Sequence, residues 1–295
     1  MTSPLLHITL LALLCRIIVN PLSNVLQKQL TQKNQHPLFI NLITYLLLAL
    51  ISCFLVWEYP FKQLDSVFWI YAVIGGIVGA LGNGFIVKAL EKGDLSVLGP
   101  INAYKSIIGM LFAFLLIGEV PNSYGVIGVG MIIWGSYFVL DTVNEKFSWK
   151  LFTSPAIQYR LGALVLTGIQ AVTDKKVIQH ANLEIAFASW SIFGLLFSFL
   201  FILFTPVQIK SECKKINMSI LIKYVQLIFC VGLMLMSTNY TLQHISVGYA
   251  LSLFQLSIIL SVILGHRVFN EQHVVKKLLG ACIMIIGSIL IILLK

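Results

Sequence analysis

Long apolar runs divided by short polar punctuation organise this chain. Ten of them lie near residues 5–27, 37–57, 66–89, 95–117, 122–141, 155–177, 184–205, 220–243, 246–268 and 274–294. A helix of about 20 apolar residues crosses the hydrocarbon layer of a bilayer. Strands of a membrane barrel would alternate apolar and polar positions, and these runs do not. His36-Pro37, Glu119-Val120-Pro121 and Thr205-Pro206 mark loops. Most connections are short, so neighbouring helices pack as antiparallel hairpins. The pattern predicts an all-α integral membrane fold with ten transmembrane helices.

The pattern also repeats. Leu90–Leu140 aligns with Leu242–Ile292 at a constant shift of 152 residues and without a gap. Glu119 falls on Glu271, Gly128 on Gly280 and Gly135 on Gly287. Residues 1–145 and 153–295 are therefore expected to be two related halves of five helices each, joined by a linker-like segment from Asp141 to Pro155. Five is odd, so the second half enters the membrane upside down. The expectation is a pair of inverted repeats with a substrate site near the midplane between them.

Composition changes little in this picture. The chain is 58% hydrophobic and 11% charged, against about 25% charged for soluble domains. The net charge of +9 sits mostly in short loops, which fits a membrane protein's cytoplasmic face and not a nucleic-acid stripe. Four lysines (Lys62, Lys175, Lys176, Lys295) fall on the side that holds both ends of the chain. The opposite side holds Lys28, Lys33, Lys88, Lys92, Lys146, Lys150, Lys210, Lys214, Lys215 and Arg267. The positive-inside rule places that second side in the cytoplasm. The five cysteines are scattered and read as apolar fillers. The N-terminal run reads as a spanning helix, not a cleaved signal.

The repeated segments carry a resemblance. Ala89-Leu-Glu-Lys-Gly-Asp-Leu-Ser-Val-Leu98, Leu116-Ile-Gly-Glu-Val-Pro121, Gly128 and Gly135 resemble the EamA-type module of the drug/metabolite transporter superfamily. Leu242-Gln-His-Ile-Ser-Val-Gly-Tyr-Ala250, Asn270-Glu271 and Gly280 to Gly287 match it in the second half. The resemblance covers essentially the whole chain as two modules. It implies an inverted-repeat bundle that moves small metabolites, often amino acids, outward by alternating access. It implies a cavity lined mainly by helices 1, 3, 4, 6, 8 and 9. It also implies cytoplasmic termini, against the charge count. A proline often follows the apolar start of helices 4 and 9 in such proteins. Pro100 is there in this chain, but Ser252 takes the matching place.

Arg16 and Lys105 are the sharpest single residues. Each lies mid-run, with no acid within two turns of its own helix. A cation at the membrane centre costs at least about 2.5–3.5 kcal/mol, so each is expected to face a cavity or a partner. Facing a cavity, they select a carboxylate or another anion. The alternative is internal pairing with Asp174 of helix 6, which is also the acid best placed for ion coupling. Helix 1 adds Asn20, Asn24 and Lys28 at four-residue spacing. Pro21 can kink or open it. Arg16 and Asn20 are assigned to the cavity, and Lys28 to an ordinary hydrogen-bond ladder. Asn102 and Lys105 share a face of helix 4 with Ser106 and Gly109. Asn83 (helix 3), Gln255 (helix 9), and Tyr240 beside Ser237 and Asn239 (helix 8) are further substrate-binding candidates. Asn83 and Gln255 serve equally well as glue between helices. Trp190 is read as packing or lipid-facing. Glu119 and Glu271 are read as structural caps near the start of the helix that follows each. His244, His266 and His273 are read as interfacial. Gly75, Gly76, Gly79, Gly125, Gly128 and Gly135 are read as packing devices.

No Walker A loop, Rossmann fingerprint, zinc spacing or nucleophile elbow is present. No catalytic residue, metal or cofactor is expected, and the chain is not read as an enzyme. A membrane-embedded transferase would need clustered acids or histidines at one interface. The expected function is a secondary-active transporter of small metabolites, exporting amino acids or related carboxylates. Uptake carriers and multidrug exporters are the alternatives. The expected partners are an anionic or zwitterionic small molecule and the lipid bilayer, with no nucleic acid. The expected state is a monomer or weak dimer in a bacterial inner (plasma) membrane.

Overall fold

A computed structural model describes residues 3–105, 107–108, 122–140, 152–245 and 247–293. Twelve α-helices can be named in it, with no strand among the described residues. They are α1 (Ser3–Gln32), α2 (Pro37–Leu55), α3 (Ser66–Lys92), α4 (Leu95–Ile101), α5 (Ser123–Leu140) and α6 (Pro155–His180) in the first part of the chain. The rest are α7 (Leu183–Leu203), α8 (Ile209–Lys214), α9 (Met218–His244), α10 (Val247–Phe254), α11 (Ser257–Phe269) and α12 (Val274–Leu293). Eight described helical stretches are long and apolar enough to cross a membrane. The 26-residue α6 is not among them; Gln158, Arg160, Gln170 and Asp174 dilute its apolar run. The predicted fourth helix is described only at its start, and Ser106, Gly109 and Glu119 lie outside the described residues, as does the linker over 141–151. The ten-helix count is thus not reached on the described residues alone.

The repeat reaches further than the aligned segment. The bounds of α3, 66 and 92, moved by 152 residues become 218 and 244, the bounds of α9. Their caps correspond as well. Asp65 accepts a hydrogen bond from the Phe68 amide and Asn217 accepts one from the Ile220 amide. A carboxylate or amide oxygen at that position satisfies a donor the first turn leaves unpaired.

The helices pair across the halves. α3 runs antiparallel along α6, with Gly75 against Thr173, Gly82 against Thr167 and Gly93 against Ala156. α1 runs antiparallel along α9 and α2 along α7. The α5–α12 seam shows the relation between the halves most directly. A Cβ on Gly128 would stand 2.6 Å from the Gly287 carbonyl, and one on Gly135 would stand 2.7 Å from the Gly280 carbonyl. The repeat matches Gly128 with Gly280 and Gly135 with Gly287, so each glycine packs on the other's mate. The two helices are equivalent in sequence and antiparallel in space. The operation that exchanges the halves therefore reverses helix direction.

Around these pairs the outer faces are apolar. Leu10, Leu11, Leu14 and Ile18 of α1, and Ile222, Val225 and Phe229 of α9, are all exposed. Surfaces of this kind in water would drive association; in lipid they are the natural exterior.

Two helices are broken, and neither is the one Pro21 suggested. α1 continues through Pro21 without interruption. The breaks fall after α4, at Asn102–Ala103, and between α10 and α11, at Gln255–Leu256. At each the backbone tightens to bonds three residues apart. The Ala103 amide donates to the Pro100 carbonyl at 2.9 Å, and the Gln255 amide donates to the Ser252 carbonyl at 3.1 Å. These two bonds correspond at the shift of 152. Proline is thus not required for the bend, because Ser252 occupies it too.

Candidate functional site

The breaks meet in the middle of the molecule. Asn102 Nδ2 lies 3.4 Å from Gln255 Oε1, one side chain from each half. Beside them is a cavity of about 140 Å³. Its lining comes from α1, α3, the α4 region, α6, α9 and α10, with Trp190 of α7 added. Arg16, Asn20, Asn83, Asn102, Lys105 and Asp174 all line it.

The charges in the cavity are poorly matched. Arg16 donates from Nε to the Thr238 hydroxyl at 2.8 Å and stacks its guanidinium 4.8 Å from the centre of the Phe254 ring. Its Nη1 is buried without a partner. Lys105 lies just past the α4 break, near Gly168, and makes no hydrogen bond or ion pair with a described residue. Asp174 accepts from Gln170 Nε2 at 3.2 Å. Among the described residues it forms no ion pair with Arg16 or Lys105. The internal pair considered from the sequence is therefore not made.

Arg160 was not anticipated. It is buried in the same cavity and donates from Nε to the Leu98 carbonyl at 2.9 Å. The break explains that bond. The Asn102 amide, which would serve Leu98 in a continuous helix, turns to Gly99 instead. The freed carbonyl takes an arginine. In the sequence Arg160 sits near the start of its helix and looks like an interfacial cation. Only the break, which sequence did not show for helix 9 and only hinted at for helix 4, connects it to the site.

Other candidates are placed differently. Asn83 lines the cavity, but its amide is engaged on both sides, accepting from Gln27 at 3.1 Å and donating to Asn41 at 2.6 Å. Asn41 passes the network to Ser198 and to the Ala80 carbonyl. This is the gluing role. Gln255 is buried at the break but outside the lining. Tyr240 is outside it as well and stacks 4.4 Å from the His244 ring. Thr238 is the α9 hydroxyl that faces the cavity, where Ser237 and Asn239 had been expected. Trp190 is buried and packed 4.5 Å from the Tyr45 ring. It is not lipid-facing, and its Nε1 has no partner.

A second charged group closes one end of the bundle. Lys28 donates to Glu271 Oε1 at 2.8 Å across the two halves. Glu271 also accepts from the Leu95 and Ser96 amides at 2.9 and 2.8 Å. It therefore caps α4 of the opposite half, not the helix that follows it. Asn270 and His273 in left-handed conformation turn the loop that carries it. Lys277 donates to Ser96 Oγ at 2.7 Å, and Asp94 stands 3.9 Å from both lysines. Burial pushes the Glu271 carboxyl up, but the bonds from Lys28 and Ser96 and the Lys28 charge outweigh it and hold it below the ordinary glutamate range.

Comparison with known families decides the class of protein. The EamA-like transporter family model matches residues 7–141 and again residues 154–293. The chain belongs to the EamA-like transporter family. It is accordingly an integral membrane protein of the drug/metabolite transporter type, with two EamA repeats. No curated protein matches this EamA-like chain. One solved crystal structure of another protein is similar over 100% of this chain and 98% of its own, with TM-score 0.65 and 15% identity. That likeness speaks for the fold alone.

Proposed function

We propose that this EamA-like protein is a secondary-active transporter of small carboxylate-bearing metabolites. It spans the membrane ten times as two inverted halves, 1–145 and 153–295, and exports its substrate from a bacterial inner membrane by alternating access. Amino acids and related carboxylates are the intended class. The observation that carries this reading is the cavity between the halves, where Lys105 and Nη1 of Arg16 have no partner among the described residues. Unpaired cations are costly in such a place. A substrate carboxylate supplies what the protein withholds. Asp174, the one acid among the described lining residues, serves ammonium binding or ion coupling. Antiparallel packing of the sequence-equivalent α5 and α12 supports the inverted arrangement.

Reconstitution in liposomes tests the site. Arg16→Met and Lys105→Met, purified and folded, should each lose most transport, about tenfold or more for one charge-assisted contact. Wild-type rates in both would remove the carboxylate-binding role. The basic face is assigned to the cytoplasm. With Cys213, which is exposed on α8, kept as the sole cysteine, an impermeant thiol reagent should leave intact cells unmodified. Modification would reverse the orientation.

A further inference from the structure

Arg16, Lys105, Arg160 and Asp174 are the charged residues in the described lining of the cavity. Three cations and one carboxylate thus share one small cavity. Arg16 retains a buried Nη1 without a partner. Arg160 has only its Nε engaged with a described residue. Lys105 has no bonded partner among the described residues. The indole N–H of Trp190, another lining residue, is also without a partner among the described residues. A neutral zwitterion would satisfy Asp174 and one cation and leave the other two exposed to a low-dielectric interior. A monoanion still leaves one net positive charge. Two negative charges on one molecule match the site.

We propose that the cavity selects a compact dianion, held by Arg16, Lys105 and Arg160 together. This rests on the reading of the cavity as the transport site; a dicarboxylate would narrow the carboxylate class proposed above, and a phosphate group would replace it. The volume bounds the size, since a cavity of roughly 150 Å³ takes a molecule such as benzene. A short dicarboxylate and a phosphate group both fit that description. Arg160 is the specificity-determining member. Its position is set by the Leu98 carbonyl that the α4 break releases.

The test uses the full-length protein in lipid nanodiscs and equilibrium binding of succinate, inorganic phosphate, acetate and alanine. The pH is one at which the first two are doubly charged. Succinate or phosphate should bind at least about tenfold more tightly than acetate and alanine, the factor expected for one further charge-assisted contact. Arg160→Gln should lower dianion affinity by about the same factor and leave acetate nearly unchanged, with Arg160→Lys, which returns the charge but not the forked donor set, recovering only part of the loss. Binding of succinate alone identifies a dicarboxylate; binding of phosphate identifies a phosphate group. Acetate or alanine binding as tightly as the dianions, with sensitivity to Lys105→Met, overturns the dianion and leaves the carboxylate transporter standing. Binding of none of the four overturns both. If Arg160→Gln does not fold, the ratio of dianion to monoanion affinity in the unaltered protein still decides.

Discussion

α1 carries two cations, the buried Lys28 and the half-buried Arg16, whose circumstances are opposite. Lys28 has Glu271 at 2.8 Å, Asp94 nearby and the face of Phe269 at 4.6 Å. Arg16, three turns earlier, has a threonine hydroxyl and a ring but no acid. The same contrast separates Lys277, bonded to Ser96, from Lys105. Charge inside the membrane is therefore of two kinds in this protein. In the cluster at the end of the bundle Lys28 pairs with Glu271 and Lys277 bonds to Ser96, each across the two halves. In the cavity Arg16 and Lys105 have no acid paired with them among the described residues, which the proposed function reads as room for a substrate. Residue type does not distinguish the two; partners do.

Substitution should separate the two groups cleanly. The largest effect is expected at Lys105→Met, which should reduce transport by about tenfold or more while leaving the melting temperature unchanged or higher. It removes a charge that costs about 2.5–3.5 kcal/mol at the membrane centre and orphans no partner among the described residues. A lower melting temperature would place Lys105 among the structural charges. Lys28→Met should do the reverse. Breaking a buried pair from one side costs about 3 kcal/mol, so thermal unfolding in detergent should move down while binding in the cavity persists. Unchanged stability would show that the end cluster does not hold the halves together.

The pH dependence follows from Glu271. Its folded value lies below the ordinary one. The stability it contributes is present above the ordinary glutamate range and is lost as pH falls through the depressed value. Melting temperature should thus fall on the acid side, and Glu271→Gln should flatten that limb. An unaltered acid limb would count against the cluster. The smallest effect is expected at Asp65. The Phe68 amide and then His180 hold its carboxyl below the usual range, but the residue is an exposed cap. The second half uses Asn217 for the same task. Asp65→Asn should leave neutral-pH melting unchanged, and a measurable fall would give that surface pair a weight its exposure denies.

Much of the architecture could be read from hydrophobic periodicity. The runs at 37–57, 66–89, 155–177 and 184–205 find their helices within a few residues, because length and apolarity are local properties. What periodicity does not report is who faces whom. Glu271 reads as a cap from its position, but its client, α4, is 176 residues away in sequence. The helix 9 break has no proline to announce it. Arg16, Asn20, Asn102, Lys105 and Asp174 could be assigned to a cavity because lipid makes their polarity conspicuous. Arg160 could not, because polarity near a helix start is ordinary. Tyr240 and Gln255 were drawn in by proximity in sequence, although one helical position decides whether a side chain enters the cavity.

The glycine seam between α5 and α12 has a consequence for how motion in this transporter can be measured. Backbone approaches backbone at Gly128–Gly287 and Gly135–Gly280, and the side chains of Met284, Ile291, Val139 and Ile132 fill the space beside them. A contact packed this closely leaves little room for a second arrangement. The seam is therefore expected to act as the stationary frame of the molecule. Spectroscopic labels at the two ends of this seam should keep a constant separation through the transport cycle, and so provide the ruler against which displacement of α1, α3, α6 and α9 is read.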